Sequence, residues 1–193
     1  MIRVAAEADV PAILAIYAPY ILRSTATFEY DVPTEAEFLR RFQDITARYP
    51  WLVWEENGEI LGYAYASAPY TRAAFQWCAE PTVYLKPEAQ GKGIAAVLYA
   101  ALEKLLEIQG YQVLYALITV ENSASVRFHK KQGYILRGDF PDCGFKFGRW
   151  LGLYWMEKRL KSVEIPRNAP VAWQAFKQDA QRISNILDNL SLS

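Results

Sequence analysis

Histidine and cysteine are almost absent: the 193 residues hold one of the former, His129, and two of the latter, Cys78 and Cys143. That is too few for a disulfide framework or a Cys/His zinc site, so no metal is expected and the chain reads as intracellular. Net charge is lacking too. Lys plus Arg and Asp plus Glu both number 21, with a pI near 6.6, so no global basic field exists to gather nucleic acid or anionic membrane. Long apolar runs are also missing. The longest, Ile94 to Leu102, falls well short of the roughly 20 residues of a membrane span, and the first nine residues lack the apolar stretch of a signal peptide. The expectation is a cytoplasmic protein with no nucleic-acid or membrane partner. Buriable surface, by contrast, is abundant: 52% of residues are apolar and 15% aromatic, enough for a large core in a chain of about one domain's length.

Periodicity divides the chain into alternating elements. Ile2 to Val4 reads as a strand, and Val10, Ile13, Leu14, Tyr17 and Ile21 mark one face of a helix opened by Asp9 and Pro11. Thr34 and Glu37 form a capping box ahead of Phe38, Phe42, Ile45 and Tyr49. Asn57-Gly58 between two strand-like runs signals a type I′ hairpin. Thr82 to Leu85, Val113 to Val120, Tyr134 to Leu136 and Leu151 to Leu160 read as further strands, with helices over Gly91 to Gln109 and from Asn122 to Gly133. The order is β, α, α, β, β, β, α, β, α, β, β, a mixed α/β sheet layered with helices. One domain spans residues 1–160. Residues 161–193 form an appendage: Ser162 to Pro170 reads as a linker, and Trp173, Phe176, Ala180, Ile183, Leu187 and Leu190 as the seam of one helix of about five turns.

Chemistry concentrates at the turn between Thr82-Val-Tyr-Leu and the third helix, where Gly91-Lys92-Gly93 precedes Ile94-Ala95-Ala96. Glycines let a backbone approach phosphate oxygens, the helix start offers free N–H groups and a favourable dipole, and Lys92 adds a cation, so a pyrophosphate is the natural ligand. A dinucleotide fingerprint would need glycine at Ala96, and a Walker loop would need Ser or Thr after Lys92 rather than Gly93. Both fail, and a plain capping turn is the alternative.

Gln90-Gly-Lys-Gly-Ile-Ala resembles the acyl-CoA signature of the GNAT N-acetyltransferases. Ser24-Thr-Ala-Thr-Phe-Glu, Arg48-Tyr-Pro-Trp-Leu-Val, Glu80-Pro-Thr-Val-Tyr-Leu, Asn122-Ser-Ala-Ser-Val-Arg-Phe-His and Gly144-Phe-Lys-Phe-Gly-Arg-Trp extend the resemblance to the phosphinothricin and methionine sulfoximine acetyltransferase branch. It covers about residues 1–160. The resemblance implies the GNAT fold, a mixed central sheet splayed at an acyl-CoA cleft and flanked by helices, with acetyl-CoA as co-substrate, a small-molecule amine as acceptor, no metal, and a homodimer.

Carried over by position, the resemblance has the backbone of Val83, Tyr84 and Leu85 line the pantetheine and the thioester carbonyl. Residues Gly91, Lys92, Gly93, Ile94, Ala95 and Ala96 would hold the pyrophosphate, and Asn122 would contact the pantetheine arm or serve as a simple helix cap. Glu80 is the candidate base for the ammonium proton, and His129 the candidate donor to the departing thiolate, in a place where many relatives carry tyrosine. Arg72 offers a fork for a carboxylate or phosphinate, with Phe28, Phe75, Trp77 and Tyr84 as pocket walls. Phe147 stands where the branch has histidine, which points to an amino-acid analogue other than phosphinothricin. Acetylation of another amine, such as a protein N-terminus or polyamine, and a CoA-binding module without turnover remain the alternatives.

Overall fold

The computed structural model describes residues 1–161, 165–166 and 168–191. Seven strands form one sheet in the order β1-β2-β3-β4-β5-β7-β6: β1 (Ile2–Val4), β2 (Trp51–Glu56), β3 (Glu59–Ser67), β4 (Cys78–Leu85), β5 (Val113–Thr119), β6 (Ile135–Lys146) and β7 (Arg149–Arg159). Strands β1 to β4 run antiparallel to their neighbours, and so do β5, β7 and β6; only β4 and β5 are parallel. Among the described residues no helix is long and apolar enough to cross a membrane.

Helices α1 (Val10–Arg23) and α2 (Glu35–Thr46) cover one face of the sheet. Ile13, Ile21, Phe38 and Phe42 bury there against Trp51, Val53 and Tyr63. Helix α2 starts where its sequence says it should: Thr34 Oγ1 accepts the Glu37 N–H at 3.3 Å, and Glu37 Oε2 accepts the Thr34 N–H at 2.8 Å. Helices α3 (Ile94–Gln109) and α4 (Ser123–Lys131) cover the other face, where Leu98, Leu102 and Leu105 are fully buried. Gly110, at φ 106°, stops α3 in the left-handed conformation that glycine adopts without a steric penalty.

Three elements depart from their sequence pattern. Strand β4 begins at Cys78, four residues before the expected Thr82, with Pro81 inside it. The Pro81 carbonyl points away from β3 to the Tyr99 hydroxyl, so the missing N–H would have faced the open edge and no ladder bond is lost. Strand β6 continues to Lys146, far beyond Leu136, because two irregularities in its pairing with β7 absorb Pro141 and break the alternation that marks strands in sequence.

The appendage forms two helices, α5 (Trp173–Phe176) and α6 (Ala180–Ser191), rather than one. Asp179 Oδ1 accepts the Arg182 N–H at 3.1 Å and starts the second afresh. Trp173, Phe176, Ile183 and Leu187 bury into the cluster that contains the outer side of α3 and Ile2, each worth roughly 1.5–3 kcal/mol of transfer free energy. The Trp173 N–H donates to the Arg48 carbonyl at 3.1 Å and the Val171 N–H to the Gln109 carbonyl at 2.8 Å. The linker expected over residues 162–170 falls partly on 162–164 and 167, which lie outside the described residues.

Candidate active site

Strands β4 and β5 pair only at Cys78↔Val113 and Ala79↔Leu114 and then part. The gap opens at Glu80 and becomes a cleft of about 390 Å³, lined by residues 80–85 of β4, Ala116, Leu117 and Ile118 of β5, Gly91 and Ala95 at the start of α3, and Asn122 and His129 around α4. Backbone groups alternate along a strand. Since the carbonyls of Pro81 and Leu85 turn to the tyrosine hydroxyls of Tyr99 and Tyr20, Val83 presents its own N–H and C=O to the cleft. Tyr84 does not: its backbone faces β3, paired with Tyr63, and its ring is buried 4.9 Å from that of Tyr17 and 4.8 Å from that of Tyr20.

At the α3 end, Gly91 and Gly93 hold φ of 74° and 82°, and a Cβ on either would meet nothing within 4 Å. The N–H groups of Gly93, Ile94 and Ala95 find no protein acceptor among the described residues, as expected for a first helical turn. Ala96 is different, because its N–H is already given to the Gly93 carbonyl at 2.9 Å. Ile94 contributes backbone only, its side chain being buried in the core. Lys92 is exposed beside the turn. Free donors, a helix N-terminus and open space above two glycines fit a pyrophosphate. Asn122 caps α4, its Oδ1 accepting the Ser125 N–H at 3.1 Å, while it also lines the cleft.

Glu80 sits where the strands separate. No hydrogen-bond donor among the described residues reaches its carboxylate, and burial alone pushes its pKa up to about 7. His129 is differently placed. It is 5% exposed, Nδ1 lies 2.8 Å from the Ser125 carbonyl and Nε2 lies 2.9 Å from the Tyr99 hydroxyl. A carbonyl only accepts, so Nδ1 carries the proton; the one Tyr99 hydroxyl hydrogen then serves either unprotonated Nε2 or the Pro81 carbonyl, not both at once. Burial also holds the imidazole pKa below its ordinary value. The expected role of direct donor to a thiolate therefore fails on geometry: neutral His129 has no N–H free for the cleft. Tyr99, which lies between it and the Pro81 carbonyl, was hidden in sequence within an apolar run; the available signal was a phenol among aliphatic residues, which needs a polar partner when buried.

Of the proposed acceptor residues Tyr84 lines the cleft, while Arg72, Phe28, Phe75 and Trp77 do not. Arg72 is exposed and precedes a single turn at Ala73–Phe75, and Phe75 packs on Tyr70 with centroids 4.5 Å apart. Phe28 lies against Gly144, where an added Cβ would come within 2.1 Å of its ring. Trp77 turns away, its indole N–H donating to the Asn168 carbonyl at 3.0 Å. Phe147 occupies the β6–β7 turn at φ 52° with its ring half exposed.

An open mixed sheet that parts beside a glycine turn, with unclaimed donors at a helix start, defines an acyl-CoA-dependent transferase. The chain belongs to the GNAT acetyltransferases: the family model described as an acetyltransferase (GNAT) domain matches residues 2–155. The phosphinothricin N-acetyltransferase of Streptomyces viridochromogenes is 36% identical over 166 residues, which are 86% of this chain and 91% of that protein. The L-methionine sulfoximine/L-methionine sulfone acetyltransferase of Pseudomonas aeruginosa is 36% identical over 172 residues, 88% and 98% of the two chains. The crystal structure of a GNAT superfamily phosphinothricin acetyltransferase from Sinorhizobium meliloti in complex with acetyl-CoA superposes with a TM-score of 0.83 at 36% identity, covering 88% of this chain and 94% of that one. This protein is an acetyl-CoA-dependent N-acetyltransferase.

Proposed function

We propose that the protein acetylates the primary amine of a small amino acid or analogue, of the phosphinothricin, methionine sulfoximine or methionine sulfone type, by direct attack in a ternary complex. The observation that carries this reading is the half-buried, unpaired carboxylate of Glu80 at the point where β4 and β5 separate. An amine arrives mainly as ammonium and must lose a proton to attack; a carboxylate with a pKa near 7 accepts that proton and releases it at physiological pH. Gly91 to Ala95 hold the pyrophosphate of acetyl-CoA, and Asn122 contacts its pantetheine arm. The Val83 N–H stabilises the oxyanion formed when nitrogen adds to the thioester carbon, an interaction of a type worth roughly a hundredfold or more in rate. The C–S bond then breaks, and CoA leaves as a thiolate, a fairly good leaving group. His129 supports the site by packing beside Tyr99, whose hydroxyl lies within hydrogen-bond distance of both Nε2 and the Pro81 carbonyl.

Arg72 engages the acid group of the acceptor, together with Phe28, Phe75 and Tyr84. Residues 1–160 carry the activity and 161–193 are a stabilising appendage. A panel of amines assayed by thiol release tests the reading: free amino acids and their sulfoximine, sulfone and phosphinate analogues should be turned over, and polyamines and peptide N-termini should not. Turnover of peptides or polyamines alone would overturn it.

A further inference from the structure

Residues 24–30, which follow α1, have neither a helix nor a strand ladder of their own, yet side chains of distant strands hold them at nearly every step. Lys146, the last residue of β6, donates from Nζ to the Ser24 carbonyl at 2.9 Å and to the Thr27 carbonyl at 2.7 Å. Thr119 at the end of β5 donates to the Thr25 carbonyl between them. The Thr25 hydroxyl donates to Glu121 at 2.8 Å, and Arg149 grips that carboxylate with two bonds of 2.6 and 2.7 Å. From within, the hydroxyls of Tyr17 and Thr27 meet at 2.8 Å. Ala26, flanked by these anchored carbonyls, lines the cleft.

Lys146 is the unusual member of this set. It is 2% exposed, and no carboxylate among the described residues comes within ion-pair distance. Burying an ammonium is costly even with the more distant charge of Glu29 acting on it and the Phe147 ring 4.9 Å from Nζ, and a methionine would fill the same space at less cost. The gain is directional: two charge-assisted bonds to carbonyls three residues apart fix a segment that has no regular structure to fix it.

We propose that Lys146 is a positioning residue for acetyl transfer, binding the carbonyls of Ser24 and Thr27 so that the segment around Ala26 is a rigid wall on the acceptor side of the cleft. The inference rests on the amine entering beside Glu80, as in the proposed function. Lys146→Met keeps the length and burial and removes the donors. With whichever amine the wild-type enzyme acetylates fastest, the variant should show a KM for that amine about tenfold higher or more, since ångström-scale misplacement of a reacting group has effects of this order. Its KM for acetyl-CoA should stay within about twofold, and amide exchange should quicken in residues 24–30 alone. Because the assay amine is chosen empirically, an error in the acceptor class leaves this test intact. Wild-type acceptor kinetics in a folded variant, or equal losses toward both substrates, would overturn the proposal. Should Lys146→Met fail to fold, Arg149→Gln, which loosens the same segment from the surface through Glu121, decides instead: a raised acceptor KM with unchanged acetyl-CoA KM supports the wall, and unchanged values for both reject it.

Discussion

Two parts of the cleft are built from different materials. The end toward α3 is backbone: two glycines at positive φ, the unclaimed N–H groups of Gly93, Ile94 and Ala95, and the cleft-facing Val83. The wall around Ala26 is held by side chains brought from afar, with Lys146, Thr119 and Arg149 of β5 to β7 organising the coil after α1. Peptide groups are identical from protein to protein and suit a ligand that does not vary, such as a pyrophosphate. Side chains can be exchanged one at a time, which suits the part that selects an acceptor.

If this division is right, mutations should separate by substrate. The largest effect is expected from Glu80→Gln, which removes the proton acceptor while keeping the shape of the site. Single-turnover rates at pH 7 should fall by about 10²–10⁴, and the deficit should shrink as pH rises and free amine accumulates. A deficit that stays constant to high pH would deny Glu80 the role of base. Next comes Gly93→Glu, which puts a side chain and a negative charge above the α3 turn at a position with φ 82°. Acetyl-CoA affinity by calorimetry should drop about a hundredfold or more, as expected for a lost anion site and a like-charge contact. Unchanged binding in a folded variant would move the cofactor elsewhere. Arg72→Ala should raise the acceptor KM about tenfold, the scale of one charge-assisted contact, and leave that of acetyl-CoA alone; equal effects on the two constants would blur the division.

The smallest effect concerns stability. The folded pKa of Glu80 is about 7, above the ordinary value of 4.5, so the folded state holds the proton more tightly than the unfolded state. Wild-type stability therefore falls as pH rises from about 4.5 to 7 and levels off above. Glu80→Gln lacks this penalty. Thermal melts should show the variant more stable than wild type by about 1–3 kcal/mol above pH 8, with the difference gone near pH 4. A pH-independent difference would mean that the carboxylate is better solvated than its position indicates.

How much could be read in advance differs along the same line. Asn57-Gly58 announced its hairpin, and both residues take the positive φ of a type I′ turn, 51° and 79°. Phe147-Gly148 makes a turn with the same signs, 52° and 75°, but phenylalanine carries no such signal, and the end of β6 was correspondingly invisible. The glycine turn before α3 was legible as an anion site. Lys146 was not, since nothing local distinguishes a buried cation from the many lysines that lie in solvent.

The sequence by itself determined the order of elements, the caps of α2 and α3 and the glycine turn, because each depends on the dihedral preferences and periodicity of neighbouring residues; the candidacy of Glu80 came with the family resemblance. Tertiary structure alone decided where β4 and β5 part, which face of β4 meets the cleft, that both nitrogens of His129 are engaged, and that burial lifts Glu80 toward neutrality. Those outcomes depend on desolvation and on contacts such as Lys146 with Ser24, 122 positions apart, which chain neighbours do not encode and only packing brings about.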